Sequence, residues 1–281
     1  MVSNSKKSAQ NLLKKYRIRP SKRLGQYFLV NKKILNRIIK SASLKKNDVV
    51  FEIGPGIGIL TQELAKRVKK VTAIEKDPQM CEILKETLKG LNNVEIIKGD
   101  ILKPPITRYL LLITNNYKIV ANLPYYIVSP VIRKFLEIKN SPKEMILMVQ
   151  KEVAQRICAQ PPRMNLLAVS VQLYAKAKIL FFVPKKCFWP QPKVDGAIIK
   201  LETRDNRKKV SIDKNLFFKI VKAGFSQPRK QIVNNLSKML KLDKGKTKTW
   251  LLKNKIEPKQ RAETLRMQDW IDLTKNYIMN Q

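Results

Sequence analysis

No histidine occurs anywhere in the 281 residues, and there are only three cysteines. Without an imidazole there is no Ser–His or Cys–His nucleophile pair, no histidine base and no histidine metal ligand. Cys81, Cys158 and Cys187 show no zinc-type spacing and read as reduced packing residues. No metal is expected. Long apolar runs are missing as well. The longest, at residues 110–113 and 179–183, are strand-sized, well short of the ~20 residues of a membrane helix. The basic N-terminus is not followed by an apolar leader segment, so a cytoplasmic protein that contacts no membrane is expected.

Acidic residues are the other shortage: 21 Asp and Glu stand against 58 Lys and Arg, for a net charge of +37. A field of that size repels further copies of the chain, favouring a monomer, and attracts polyanions. The charge is unevenly spread. Residues 1–48 hold 14 basic residues and one acid, and residues 203–261 hold 18 and four. Residues 49–122, with 11 basic residues and eight acids, are close to balance. A near-neutral block between two strongly basic ones suggests a small-ligand site beside a nucleic-acid track.

What is present is a regular alternation. VVFEIG, VTAIE, VEIIKGD, YKIVAN and EMILMVQ are strand-like runs; ILTQELAKRV, PQMCEILKETL (opened by Pro78) and SPVIRKFLEI have helical spacing between them. That order predicts a doubly wound parallel sheet with its ligands at the carboxyl ends of the strands. KEVAQRICA reads as a helix. KAKILFFV and KVDGAIIKL read as a final strand pair around the proline-rich PKKCFWPQPK. From residue 204 only helical periodicity remains. The expected division is an α/β domain with a basic N-terminal extension over 1–203 and a helical domain over 204–281.

The polar interruptions fall at strand ends: Glu52, Glu75, Asp100 and Asn122. Gly54, Gly56 and Gly58 after the first strand let the backbone approach a ligand, and the following helix start favours an anionic group. Glu75, 21 residues beyond Gly54, is placed to accept both hydroxyls of a ribose. A dinucleotide-binding domain would share these two features. Asp100, able to accept from an adenine amine, points instead to a nucleoside pocket of the S-adenosylmethionine kind.

VANLPYY, residues 120–126, places an amide, a proline and two aromatic rings at the mouth of a buried strand. An amine conjugated to a purine is a poor nucleophile. Acceptors on its N–H groups, the Asn122 side-chain oxygen and a backbone carbonyl of Leu123-Pro124, favour a pyramidal amine with an outward lone pair. Pro124 stiffens the turn. Tyr125 can stack on the base, worth ~1–3 kcal/mol. A sulfonium leaving group needs no general base, which suits a chain without histidine. A base held this way must be flipped from its stack. Phe188 offers a second stacking face; it or Trp189 equally suits a loop aromatic that caps the core.

At these residues the chain resembles the ribosomal RNA adenine dimethyltransferases. RLGQYFL (23–29) is similar to the family's N-terminal motif, and FEIGPGIGILT, AIEKD, KGD and ANLPYYIVSP to its cofactor and target-base motifs. MVQKEVAQR (148–156), PKKCFWPQPKVDG (184–196), FSQPRKQIVNNL (225–236) and RAETL (261–265) resemble its later signatures. The resemblance implies a Rossmann-like S-adenosylmethionine-dependent methyltransferase sheet with a small all-helical RNA-contact domain. Cofactor contacts are implied at Tyr27, Leu29, Gly54, Gly56, Glu75, Asp100 and Asn122. Asn122, Leu123, Pro124 and Tyr125 are implied to meet the target adenine, with Phe188 across the ring. The implied reaction is N6-dimethylation of two adjacent adenines in a 3′-terminal hairpin loop of small-subunit rRNA, on an assembling subunit.

The chain departs from the family pattern at Tyr27 (usually Asn or His), Lys185 (usually Pro), Asn165-Leu166 (commonly Tyr-Gly), Gln231 and Val233. Three other readings stand beside the main one: a resistance-type large-subunit rRNA methyltransferase, an N6-adenine DNA methyltransferase, and a non-catalytic assembly or transcription factor. Leu123, where the DNA enzymes have a proline, and the basic helical tail favour the small-subunit reading.

Overall fold

The computed structural model describes residues 2–103, 116–204 and 212–277, so the apolar run at 110–113 lies outside the described residues. Two compact units are present. One comprises residues 1–154 and 176–203, the other residues 155–175 and 204–281. The expected single break after residue 203 is therefore corrected: residues 155–175 belong with the helical unit. The reason is a helix absent from the sequence reading, Leu166–Gln172, whose Ala168 and Val169 are fully buried in the same cluster as Phe217, Ile220 and Val221. Asn165, one of the departures from the family pattern, caps that helix by accepting from the Ala168 N–H at 3.0 Å.

The strands are β1 (Phe28–Leu29), β2 (Val49–Ile53), β3 (Lys70–Glu75), β4 (Val94–Lys98), β5 (Tyr117–Asn122), β6 (Glu144–Gln150), β7 (Ala175–Val183), β8 (Phe188–Trp189) and β9 (Gly196–Thr203). Seven form one sheet in the order β4-β3-β2-β5-β6-β9-β7. The five expected strands run parallel, and β9 returns antiparallel to β6. Val50, Phe51, Ile119 and Val120 are fully buried, as in a sheet covered on both faces. The chain winds from β2 toward β3 in one direction and resumes on β2's other side at β5. The crevice of such a fold opens at that switch, between the carboxyl ends of β2 and β5.

At the opposite end of β5, Lys118 interrupts the apolar run for a structural reason. Its ammonium donates to the Ala42 and Ser43 carbonyls, each at 3.0 Å, and pairs with Asp48 at 3.1 Å and Glu144 at 2.9 Å. Those four acceptors make its burial tolerable and fasten the end of helix Lys32–Ser41 to the sheet.

The basic N-terminal extension is not a free arm. Its helix, Val2–Lys15, buries Ala9 and Leu13 against Phe28, Ile57, Met80 and Ile83. Next in sequence, RLGQYFL crosses the sheet's carboxyl edge. There β1 pairs antiparallel with β8, matching Phe28 with Trp189 and Leu29 with Phe188. Lys185 does not leave the following loop unanchored: its N–H donates to Asp195 Oδ1 at 2.9 Å.

The second unit packs helices Lys214–Gly224, Ile232–Leu240, Lys244–Lys253 and Met267–Lys275 around Trp250, Trp270, Phe217 and Leu236. Asp213 caps the first by accepting from the Asn215 and Leu216 N–H groups. Gly224 lies flat against the Trp270 ring, and a Cβ there would overlap it. Gly224→Ala is therefore expected to destabilise this unit by about 1–3 kcal/mol despite alanine's better helix propensity. Calorimetric melting should show it, and an unchanged Tm would contradict the packing. No described helix is long and apolar enough to cross a membrane.

Candidate active site

The crevice at the β2–β5 switch is a deep cavity. Gly54, Gly56, Glu75 and Asp100 line it from the sheet side, Tyr27 and Leu29 from the N-terminal segment, and Asn122 and Pro124 from the end of β5. Three expected residues do not line it: Leu123, Tyr125 and Phe188.

The glycines are required by conformation. Gly56 has φ +59°, and a Cβ on it would come within 3.1 Å of the Phe28 ring. Its N–H donates to Glu75 Oε2 at 3.0 Å, while Glu75 Oε1 accepts from the Asp77 N–H at 2.9 Å. Two backbone amides thus fix the Glu75 carboxylate and leave a lone pair on each oxygen for a diol. Burial dominates those hydrogen bonds and raises the Glu75 pKa. Asp77 in turn accepts from Gln26 Nε2 at 2.6 Å, which ties the N-terminal segment to the cavity wall.

Asp100 is held by the Leu102 N–H on Oδ1 at 3.0 Å and by Lys76 on Oδ2 at 2.9 Å. Burial opposes its charge, but these partners win and its pKa is lowered. In the sequence Lys76 carries no signal, since a lysine after a strand-end acid looks like ordinary surface. Tyr126 is a further site residue without an assigned role in the sequence. It lines the cavity while 53% exposed, so a large ring stands at the mouth. The tandem Tyr125-Tyr126 is the sequence signal for it.

Glu52 is the least expected group. It lines the same cavity at 1% exposure, and its Oε2 has no hydrogen-bond partner. The adjacent Thr61 hydroxyl is likewise buried and unpartnered. Burial, reinforced by the nearby Glu75 charge, pushes the Glu52 carboxyl up to about 8. An orphaned carboxyl oxygen in a closed wall suits a ligand with a cationic end. With Glu75 for a ribose diol and Asp100 for an aromatic amine, the donor set fits S-adenosylmethionine.

At the other end of the cavity, Asn122 Nδ2 donates to the Tyr27 main-chain carbonyl at 3.0 Å. That bond orients the amide and leaves Oδ1 as a free acceptor. The Pro124 carbonyl already accepts from the Ile127 N–H at 3.1 Å, closing the turn Tyr125–Ile127, which leaves Leu123 to offer the second carbonyl. Gly25, at φ +64°, lets the N-terminal backbone lie on Pro124; a Cβ there would sit 3.1 Å from the proline Cβ.

Tyr125 is half-buried, with its hydroxyl unpartnered and its pKa pushed up to about 12, chiefly by burial. Phe188 is 3% exposed, packed in a core cluster with Leu29, Met148 and Cys187. The structure thus supports the capping alternative for Phe188 in this state. Trp189 stacks on Phe28, centroids 6.5 Å apart.

A model of the ribosomal RNA adenine dimethylase family matches residues 18–279. A relative from Dehalococcoides mccartyi, named ribosomal RNA small subunit methyltransferase A, is 40% identical over 272 residues, covering 97% of this chain and 93% of its own. A protein of the same name from Clostridioides difficile is 40% identical over 271 residues, covering 95% and 94%. Among solved structures, a Plasmodium falciparum dimethyladenosine transferase aligns with TM-score 0.71 and 28% identity over 86% of this chain and 94% of its own. The 23S rRNA methyltransferase ErmE aligns with TM-score 0.71 and 26% identity over 89% and 98%.

Proposed function

Because the chain belongs to the ribosomal RNA adenine dimethylase family, we propose that its cavity positions adenine for N6-dimethylation at two adjacent positions in a 3′-terminal hairpin loop of small-subunit rRNA. The observation that carries the chemistry is the cavity-lining Asn122 amide, whose Nδ2 is engaged by the Tyr27 carbonyl so that its oxygen is left as the acceptor. The relatives named small-subunit methyltransferase A support the substrate assignment over a large-subunit one.

S-adenosylmethionine, the methyl donor, supplies a methyl on a sulfonium. Glu52, Glu75 and Asp100 would hold it, and the Gly54–Gly56 turn would admit it close to the backbone. Asn122 Oδ1 and the Leu123 carbonyl accept the two N–H bonds of the target amine. This localises its lone pair, and the turn at Pro124 fixes the direction of approach. Rate then derives from alignment and from fixed dipoles. No side chain takes the proton in the transfer step; it leaves to water from the methylated ammonium. Tyr125 stacks on the base, and Phe188 meets the other face once uncovered.

The assembling subunit is the proposed partner, a monomer the acting form, and the cytoplasm the place. The basic helical unit and N-terminal helix hold the RNA backbone. Hairpin affinity is therefore expected to fall steeply with salt, with a log–log slope of roughly −0.7 to −0.9 per phosphate neutralised. A flat salt dependence in a filter-binding titration would leave the lysines as solubilising surface only. Calorimetric titration with S-adenosylmethionine tests the enzyme reading against a non-catalytic factor, which would show no binding at this cavity.

A further inference from the structure

Tyr27 replaces the family's usual Asn or His, and its ring makes an aromatic contact as well as lining the cavity. It stacks on Tyr125, with centroids 5.9 Å apart and planes inclined by 29°. Next to Tyr27 in sequence, β1 pairs with β8. Leu29 faces Phe188 across the pair. Consistently, Tyr27 packs against the cluster that contains Phe188, Leu29, Met148 and Cys187. Tyr27 thus covers a face of Tyr125 and packs against the core cluster that holds Phe188, the two rings assigned to the target base. Phe188 is buried and the Tyr125 hydroxyl is closed off from water, as expected of a filled slot.

We propose that Tyr27 is a placeholder for the target base, its ring leaving the Tyr125 stack as the flipped adenine enters while its carbonyl stays on Asn122. One residue then both keeps the empty slot from collapsing and aims the acceptor that meets the base. Main-chain and side-chain roles separate cleanly, because the carbonyl survives any substitution and the ring does not. Entry of the base must displace an aromatic stack, and that displacement weakens hairpin binding. The inference rests on the Tyr125–Phe188 base-site reading.

The test uses the full chain with S-adenosylhomocysteine and a 3′-terminal small-subunit rRNA hairpin carrying 2-aminopurine at one target position. Fluorescence follows transfer of the purine from the RNA stack into the protein. Tyr27→Ala should bind this hairpin about two- to tenfold more tightly than the wild type, the typical worth of one aromatic pair, and Tyr27→Phe should match the wild type. Tyr27→Asn, the family's own residue, should behave as Tyr27→Ala and serves if the alanine variant does not fold. Equal or weaker binding by Tyr27→Ala, in a wild type whose fluorescence responds and whose response Tyr125→Ala diminishes, overturns the placeholder alone. A wild type that binds with no fluorescence response overturns the base-site reading, and the placeholder with it.

Discussion

Asn122→Ala is expected to lower kcat for methyl transfer at least about a hundredfold, with hairpin affinity within about threefold of the wild type. The loss follows from removing a pre-aimed acceptor at the atom where charge develops, an effect of ~10²–10³ for a single such group. Affinity survives because the proposed phosphate contacts lie on the basic flanks. The change also deletes the Asn122–Tyr27 hydrogen bond, worth only about 1 kcal/mol, too little to unfold the unit. Asn122→Asp sharpens the test. Its carboxylate accepts but cannot donate to the Tyr27 carbonyl, so the acceptor remains while its orientation is lost, and activity should fall here too. Single-turnover kinetics with saturating donor reads both variants. Near-normal turnover in Asn122→Ala would remove this residue from the target-base site.

The second large effect is pH-dependent. Glu52 is buried in the cavity wall, and its pKa stands near 8 against an ordinary 4.5. A carboxyl with a raised folded-state pKa binds its proton more tightly when folded. Its stabilising contribution is complete below about pH 4.5 and is lost progressively as pH rises toward 8. Ligand-free protein should therefore lose stability between pH 5.5 and pH 8 by up to about 3 kcal/mol more than Glu52→Gln does. Glu75 shifts in the same direction and is common to both proteins, so the difference isolates Glu52. A cationic group placed against Glu52 favours its charged form, so donor binding should release a proton. Calorimetry in buffers of different ionisation heat measures that release. Identical pH profiles for wild type and Glu52→Gln would mean that Glu52 is ionised in the empty cavity.

The strand ends were readable because they combine two strong signals, a strand-length apolar run and a polar residue that no buried sheet tolerates without purpose. Glu75, Asp100 and Asn122 announced themselves in this way, and the fold brings them to one cavity with Gly54 and Gly56. Glu52 was visible as an oddity, yet its lack of a partner depends on which atoms surround it, and only coordinates supply that. The β1–β8 pair was not readable. Two-residue strands carry no periodicity, and their paired residues are 159 and 161 positions apart. The break at residue 203 failed because the helix Leu166–Gln172 is short and apolar, and its allegiance to Phe217 and Val221 is a long-range packing choice. The Tyr27–Tyr125 stack was out of reach for the same reason.

The measurement that tests the central claim most directly is mass spectrometry of small-subunit rRNA after immature subunits are incubated with the protein and S-adenosylmethionine. The account predicts N6,N6-dimethyladenosine at two adjacent positions of the 3′-terminal hairpin loop, absent with Asn122→Ala. Tight RNA binding with no methylated adenosine would contradict it and leave a non-catalytic factor on a methyltransferase fold.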